Sequence, residues 1–354
     1  MTSRLERVRA ILSQHNLDAL MIQKNENRAY VSEFFGSAGI AVVTPKEAIL
    51  LVDFRYVQQA GRQAPEFEVI KADRQFIEAF TSVAQQREWK RIGFESDAVT
   101  VKQHQEYTAK LQPAELVPVD GLDRLRWVKD EDELARIRKA VEIADAAFAH
   151  IRGHLRPGAV ERDIAIEMEF FMRRQGADKE AFETIVASGP RSSLPHGRAE
   201  DRALAVGDFV TLDFGAIYRH YISDCTRTVV IGEVSAKQRD IYGTVLEAQE
   251  TALRGIRAGM TGKAADALGR EVIARAGYGD AFGHSLGHGV GLMVHEGPTL
   301  SPREEATLGP GMVVTVEPGI YLDGWGGVRI EDLVVIREQG CEILTRSPKE
   351  LMVL

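Results

Sequence analysis

The stretch VGDFVTLDFG, residues 206–215, returns in altered form as PGMVVTVEPG, residues 310–319. Each copy is a run of β-branched and apolar residues, typical of a buried strand, and carries an acid two residues before a glycine. The matched positions are Gly207 with Gly311, Asp213 with Glu317, and Gly215 with Gly319. The repeat predicts a duplicated fold in which two strands bring their acids to equivalent places.

A second pair of segments repeats at a similar interval. LRPGAVERDIAIEMEFFMRRQGA, residues 155–177, lines up with IRAGMTGKAADALGREVIARAGY, residues 256–278, and Gly158 and Gly176 match Gly259 and Gly277. Each copy favours a helix, a glycine turn, and a second helix closed by glycine. Both intervals are far longer than the roughly 20–50 residues of solenoid repeats. We therefore expect an α+β domain with pseudo-twofold symmetry.

The first third of the chain has a different pattern, in which short apolar runs alternate with helical stretches. DALMIQ, GIAVVT and AILLVDF favour strands, whereas YVQQAGRQ and FIEAFTSVAQQREW favour helices. Leu5, Val8 and Leu12 fall on one face of an N-terminal amphipathic helix. We expect a small α/β domain over residues 1–126. The α+β domain then covers residues 127–354 and opens with a long helix that has the acidic cluster DEDE near its start.

Composition excludes several classes of protein. The 354 residues are 44% hydrophobic and 27% charged, as in an ordinary globular protein, and the net charge of -8 gives no support for a nucleic-acid or membrane-surface partner. No apolar run approaches the roughly 18 residues of a membrane span, and the charged N-terminus does not fit a signal peptide. Cys225 and Cys341 form no motif, so we expect free thiols and a cytoplasmic protein.

The segment GHSLGHGVG, residues 283–291, contains G-x-S-x-G, the nucleophile elbow of α/β-hydrolases. That motif needs a strand before the serine and a helix after it, but Ser285 is followed by glycines and then a proline. No histidine follows His295, so the chain order serine, acid, histidine is also missing. The glycines match no phosphate-binding motif either. We therefore interpret Ser285 as a bystander and the neighbouring histidines as the functional residues.

A second acid follows each strand motif, Asp224 in the first half and Glu331 in the second. Pseudo-symmetry would bring these two together with the two acids of the repeat, and four buried acids repel one another unless cations neutralise them. Together with one histidine they form a donor set that suits manganese, cobalt, zinc or iron. The five candidate ligands exceed the needs of one ion and fit two divalent ions roughly 3.5–4 Å apart that share a bridging water: Asp213, Asp224, His288, Glu317 and Glu331.

Six motifs in this order resemble the creatinase/methionine-aminopeptidase, or pita-bread, metallopeptidase family: LDFG, SDCTRTV, GHSLGHGVG, VHEGP, TVEPGIY and GGVRIED. The segment SGPRSSLPHG, residues 188–197, and the extra N-terminal domain narrow the resemblance to Xaa-Pro peptidases. The resemblance implies an α/β N-terminal domain, a pseudo-twofold pita-bread catalytic domain and a homodimer. It also implies that hydroxide bound by two metal ions, which we expect to be manganese, attacks the peptide bond before proline.

The resemblance assigns the metal ligands residue by residue. Asp213 would chelate one metal, and His288 and Glu317 would bind the other. Asp224 and Glu331 would bridge the two. Alternatively, these acids are solvent-exposed strand-end or turn residues.

The resemblance also implies a set of catalytic residues. His196, His284 and His295 resemble the substrate and transition-state histidines, with His295 stabilising the oxyanion. Arg329 would orient a ligand carboxylate, and Glu317 would also carry a proton to the leaving proline nitrogen. A structural role remains an alternative for each histidine.

Three questions stay open at this point. The substrate is either an Xaa-Pro dipeptide, which we favour, or a longer peptide cleaved by an aminopeptidase P. The fold could also serve a metal-free reaction on a non-peptide substrate, or a non-catalytic binding protein. Arg55 and Tyr56, in VDFRY, either reach a neighbouring subunit's pocket or are structural, and His150 and His154 are interpreted as surface residues.

Overall fold

The computed structural model describes residues 3–72 and 75–354. The chain divides into two compact units, Met1–Arg126 and Trp127–Leu354. Within the described ranges, no helix is long and apolar enough to cross a membrane.

The N-terminal unit is an α/β fold, as the sequence predicts. Its elements are α1 Arg4–His15, β1 Ala19–Ile22, α2 Asn25–Ser32, β2 Ile40–Val43, β3 Ala48–Val52, α3 Val57–Gln63, β4 Glu68–Lys71, α4 Phe76–Gln86, β5 Arg91–Glu95, α5 Val101–Leu111 and β6 Glu115–Val119. The six strands in the described part of this unit form one mixed sheet with the order β4-β3-β2-β1-β5-β6, in which β1 pairs with β2 antiparallel and with β5 parallel.

The amphipathic pattern at the N-terminus does produce a helix. Ser3 caps α1 by accepting a hydrogen bond from the Glu6 amide, while the Glu6 side chain bonds the Ser3 amide in return. Leu5, Val8 and Leu12 are buried along one face, as predicted.

The C-terminal unit combines two helix pairs with several antiparallel sheets. Its helices are α6 Glu131–Ile151, α7 Glu161–Arg174, α8 Ala236–Gly255 and α9 Gly262–Arg275. Asp130 caps α6 in a capping box with Glu133, which explains the acidic cluster at its start. The strands are β7 Lys179–Glu180, β8 Ile185–Ser188, β9 Phe209–Phe214, β10 Ala216–Tyr218, β11 Tyr221–Ile222, β12 Cys225–Val230, β13 Gly287–Gly289, β14 Glu296–Leu300, β15 Val313–Val316, β16 Gly319–Leu322, β17 Gly326–Arg329, β18 Asp332–Arg337 and β19 Gly340–Ile343.

The duplication seen in the sequence is present in the backbone. Gly158 and Gly259, in the turns before α7 and α9, have φ values of 85° and 84°. Gly207 and Gly311, in the turns before β9 and β15, have φ values of 87° and 84°. These left-handed values favour glycine, so the repeat kept its glycines where the turns require them.

The two halves also share a sheet order. In the first half β9 lies between β8 and β12, and in the second β15 lies between β13 and β18. Each central strand packs beneath its own helix pair: Val210 and Leu212 contact the α6–α7 core, and Val314 and Val316 contact the α8–α9 core. The halves meet where the Glu331 amide donates to the Thr226 carbonyl at 3.1 Å. This is the pseudo-twofold pita-bread architecture that the resemblance implied.

Strand β13 approaches β15 so closely that only glycine fits at its first residue. A Cβ atom on Gly287 would lie 2.0 Å from the Thr315 carbonyl oxygen, whereas one on Gly283, four residues earlier, would meet nothing within 4 Å. The close approach fixes where β13 places its next residue, His288.

We expect Gly287→Ala to destabilise the protein by about 1–3 kcal/mol, the usual cost of forcing a methyl group into a packed site. Urea unfolding would measure the change in the free energy of unfolding. The control is Gly283→Ala, which should change it by less than about 0.5 kcal/mol because the added methyl group has free space. Equal losses in the two variants would show that the contact does not constrain the sheet.

Candidate metal centre

The four acids predicted from the repeat lie at strand ends around one cavity. Asp213 is the penultimate residue of β9, and Glu317 directly follows β15. Asp224 directly precedes β12, and Glu331 directly precedes β18. The cavity has a volume of about 630 Å³, and all nine predicted site residues line it: His196, Asp213, Asp224, His284, His288, His295, Glu317, Arg329 and Glu331.

His288 is the centre of the carboxylate cluster. Its Nε2 atom lies 3.2 Å from Glu317 Oε1 and 3.7 Å from Asp224 Oδ2. Donor atoms of Asp224, His288 and Glu331 all lie within 4.8 Å of one another. The Nδ1 atom is 3.1 Å from the Gly289 carbonyl, to which it donates, and Nε2 is therefore the nitrogen directed at the acids.

Each of three acids is held by a neighbouring side chain. Arg329 Nη2 donates to Asp213 Oδ2 at 2.7 Å, and Thr226 Oγ1 donates to Glu331 Oε2, also at 2.7 Å. Thr315 Oγ1 donates to Glu317 Oε1 at 3.0 Å and accepts from the His288 amide. These contacts fix one oxygen of each of the three carboxylates.

A buried ion pair lies directly behind Glu331. Arg227 donates to Asp332 Oδ1 at 2.7 Å, and both side chains are at most 2% exposed. Burial alone would raise the pKa of Asp332, but Arg227 and Lys349 lower it below its ordinary value. Gln249 also donates to Asp332, at 2.7 Å. The network anchors the start of β18, and thereby the backbone of Glu331.

The acids themselves resist ionisation. Burial raises the pKa of Asp224 and of Glu331 well above the ordinary range, and the neighbouring carboxylates raise both further. Burial also raises the pKa of Asp213, although Arg329 opposes it. The exception is Glu317: burial would raise its pKa, but the hydrogen bond and charge of His288, together with the charges of His284 and Arg329, lower it to about 2. Burial would lower the pKa of His288, but the hydrogen bond and charge of Glu317, together with the charge of Glu331, raise it to about 9.

The donor set fits divalent metal ions. Two cavity oxygens, Asp213 Oδ1 and Glu331 Oε1, are buried and have no hydrogen-bond partner among the residues that the structure describes. An unpaired buried carboxylate oxygen is costly, and a cation removes the cost both of its desolvation and of the repulsion between acids. Carboxylate oxygens with one imidazole are ligands for manganese, cobalt, zinc and iron.

The three remaining histidines fall into two groups. His196 and His295 are exposed at the cavity, and the His295 ring lies 4.3 Å from that of His288. His284 is different, because its Nδ1 donates to the Ser285 carbonyl at 2.8 Å and its Nε2 accepts from the Tyr321 hydroxyl at 2.9 Å. Burial lowers the pKa of His284, in keeping with a neutral ring whose two nitrogens are both engaged.

Several residues that position the predicted site residues were not predicted from the sequence. Tyr321 lies between His284 and Arg329 and accepts a hydrogen bond from Arg329 Nη1 at 2.9 Å. Asp266 accepts from the Leu286 amide, and Arg270 donates to the His284 carbonyl at 2.7 Å, so helix α9 holds the loop that carries His284. Tyr321 stands in the quoted motif TVEPGIY, whereas no sequence signal pointed to the α9 pair.

The structure shows the surroundings of Ser285 and of Arg55 and Tyr56, for which the sequence allowed alternative roles. Ser285 is followed by strand β13 instead of a helix, so it is not in a nucleophile elbow. Arg55 forms an ion pair with Asp53 at 2.7 Å, and the Tyr56 hydroxyl lies 2.7 Å from Ser37 Oγ. Arg55 and Tyr56 thus each have a partner within the N-terminal unit.

Paired acids at the ends of duplicated strands, together with His288 of β13, are the donor set of a metal-dependent hydrolase. The chain belongs to metallopeptidase family M24, whose family model matches residues 135–338. Residues 4–128 match the creatinase/prolidase N-terminal domain. Members of this family use divalent metal ions.

Full-length relatives agree with the family assignment. The chain is 40% identical to an Xaa-Pro dipeptidase of Pyrococcus horikoshii, over 99% of both proteins. It resembles the structure of an Xaa-Pro dipeptidase from Bacillus anthracis with a TM-score of 0.97 and 45% identity, over 99% of each chain. It also resembles an X-Pro aminopeptidase from Thermotoga maritima with a TM-score of 0.92 and 41% identity, over 99% of this chain and 100% of the other.

The raised pKa values of Asp224 and Glu331 predict a pH-dependent stability for the metal-free protein. A carboxyl whose pKa is higher in the native state binds more protons there, so stability falls as pH rises above about 4, where the unfolded carboxyl ionises. Asp224→Asn removes one of these groups. We expect the variant to lose less stability than the parent protein as the pH rises. We also expect added Mn²⁺ to stabilise the variant less.

Thermal unfolding with a chelator and with Mn²⁺, between pH 5 and pH 8, would measure both effects. Asp323→Asn is the matched control, because Asp323 is an exposed acid in the turn between β16 and β17. If both variants gained as much from Mn²⁺ as the parent protein, Asp224 would not be a metal ligand.

Proposed function

We propose that the chain is an Xaa-Pro dipeptidase that hydrolyses the peptide bond before proline with two divalent metal ions, which we expect to be manganese. The observation that carries the proposal is the convergence of four acids and His288 on one cavity. Its support comes from the full-length likeness to proteins named Xaa-Pro dipeptidase.

Five residues would hold the metal ions. Asp213 would chelate one, His288 and Glu317 the other, and Asp224 and Glu331 would bridge both. Bound there, two divalent ions polarise the scissile carbonyl and lower the pKa of water.

The chain's own residues would then orient the substrate. His295 is exposed beside His288 and is available to donate a hydrogen bond to the developing oxyanion. His196 lies at the same opening and is available to contact the peptide backbone. Because both nitrogens of His284 are engaged, we assign His284 to holding Tyr321 and the cavity wall, and not to proton transfer.

Proline recognition requires an apolar surface of suitable size. Phe182, Ile185 and Val294 line the cavity beside the acids, and they supply such a surface for the pyrrolidine ring. The leaving proline nitrogen must gain a proton as the bond breaks. We assign Glu317 to this transfer: its carboxylate, which is ionised at neutral pH, would take a proton from the attacking water and pass it to that nitrogen.

The second candidate is an aminopeptidase that releases the first residue from longer Xaa-Pro peptides. The likeness to the X-Pro aminopeptidase of Thermotoga maritima favours this candidate. A homodimer and a cytoplasmic location also remain predictions.

Hydrolysis of Ala-Pro and of Ala-Pro-Ala by the Mn²⁺-loaded protein would separate the two candidates. We expect Ala-Pro alone to be cleaved, and cleavage to stop when a chelator removes the metal. Release of alanine from Ala-Pro-Ala would instead establish the aminopeptidase. If neither peptide were cleaved by protein with confirmed bound metal, the substrate class would be wrong.

Arg329 offers a test of how Asp213 is positioned. Its guanidinium bonds Asp213, Thr226, Tyr321 and the Pro195 carbonyl at once, and a lysine ammonium cannot reproduce that planar arrangement. We expect Arg329→Lys to lower kcat/KM for Ala-Pro and the affinity for metal by about 10–100-fold.

The matched control is Arg303→Lys, at an exposed arginine outside the cavity lining. Metal content and kinetics should be measured on both variants. Parental metal affinity in Arg329→Lys would contradict the positioning role.

A further inference from the structure

Two histidines interpreted from sequence as surface residues lie together with an acid from another helix. His150 is in the last turn of α6, His154 is in the 3₁₀ turn Arg152–His154 that follows, and Glu167 is in α7. Their donor atoms all lie within 4.8 Å of one another, and His150 Nε2 is 2.7 Å from Glu167 Oε1. We propose that His150, His154 and Glu167 bind one zinc ion.

This three-residue cluster is separate from the catalytic cavity, because none of its members lines that cavity. The inference therefore does not rest on the proposed peptidase activity. It concerns an additional metal site in the same catalytic unit.

The donor set selects the kind of metal. Two imidazole nitrogens and one carboxylate oxygen are ligands that zinc accepts in four-coordinate sites, with water in the fourth position. Calcium and magnesium prefer all-oxygen sites, so they compete poorly here. Across the junction between α6 and the 3₁₀ turn, the donor atoms of His150 and His154 lie within 4.8 Å of each other, which a chelating pair requires.

The surroundings hold the donors in place and leave them accessible. The Phe171 ring stacks on His150 at 4.2 Å with an interplanar angle of 12°, and the rings of His150 and His154 are 4.8 Å apart. The side chains of His150 and Glu167 are 30% and 40% exposed, so a metal ion can enter from solvent. The cluster lies at the C-terminal end of a 21-residue helix, where the helix dipole favours a cation.

A bound ion would join α6 to α7. The two helices form one helix pair of the duplicated fold, and their packed residues cover β9. Because the native state would bind zinc and the unfolded chain would bind it less well, the ion would stabilise this half of the catalytic unit.

Zinc content after equilibrium dialysis of the chelator-stripped full chain against Zn²⁺ would test the proposal. The variants are His154→Ala, which removes an exposed ligand, and Glu167→Gln, which keeps the side-chain shape. His15→Ala is the matched control, since His15 also lies in the last turn of a helix. Zinc bound in the catalytic cavity contributes equally to all four proteins, so the test uses only the difference in zinc content between them.

We expect the parent protein and His15→Ala to hold one more zinc per chain than His154→Ala and Glu167→Gln. The same two variants should lose part of the rise in melting temperature that Zn²⁺ gives. Equal zinc content in all four proteins would overturn the proposal. The comparison requires no peptide hydrolysis, so its result does not depend on whether the dipeptidase assignment is correct.

Discussion

Mutual repulsion among four carboxylates is the constraint on which the catalytic unit depends. Asp213, Asp224, Glu317 and Glu331 stand around one cavity, and Asp224 and Glu331 are almost fully buried. Such a cluster is stable in its ionised form only if positive charge enters it. The fold supplies part of that charge through Arg329 and His288. One oxygen of Asp213 and one of Glu331 have no hydrogen-bond partner in the described part of the chain, and they are left for metal cations.

The surrounding structure keeps those acids in place against their repulsion. Each acid stands at a strand end, where the backbone is fixed by a sheet and a helix pair. Hydroxyl groups of Thr226 and Thr315 hold Glu331 and Glu317, and the buried pair of Arg227 with Asp332 anchors the start of β18. Fixed ligands need little reorganisation when a cation binds, which is the advantage of a rigid scaffold.

The sequence predicted that the four acids would lie together, because the signal for each acid is local. A strand pattern, an acid and a glycine occur in both halves, and duplication then places them together. The hydrogen bonds of His284 could not be predicted in this way, because they depend on how the loop after α9 meets Tyr321. The proximity of His150 and Glu167 could not be predicted for the same reason. It depends on the packing of two helices, which no short sequence pattern specifies.

The duplication is symmetric in its acids but not in its nitrogen donors. Strand β8, which occupies in the first half the place of β13 in the second, has no histidine where β13 carries His288. Two cations held in this cavity would therefore have unlike surroundings, one of oxygen alone and one with a nitrogen. Affinity for first-row metals depends on that difference. A metal ion that prefers nitrogen ligands would therefore favour one position over the other.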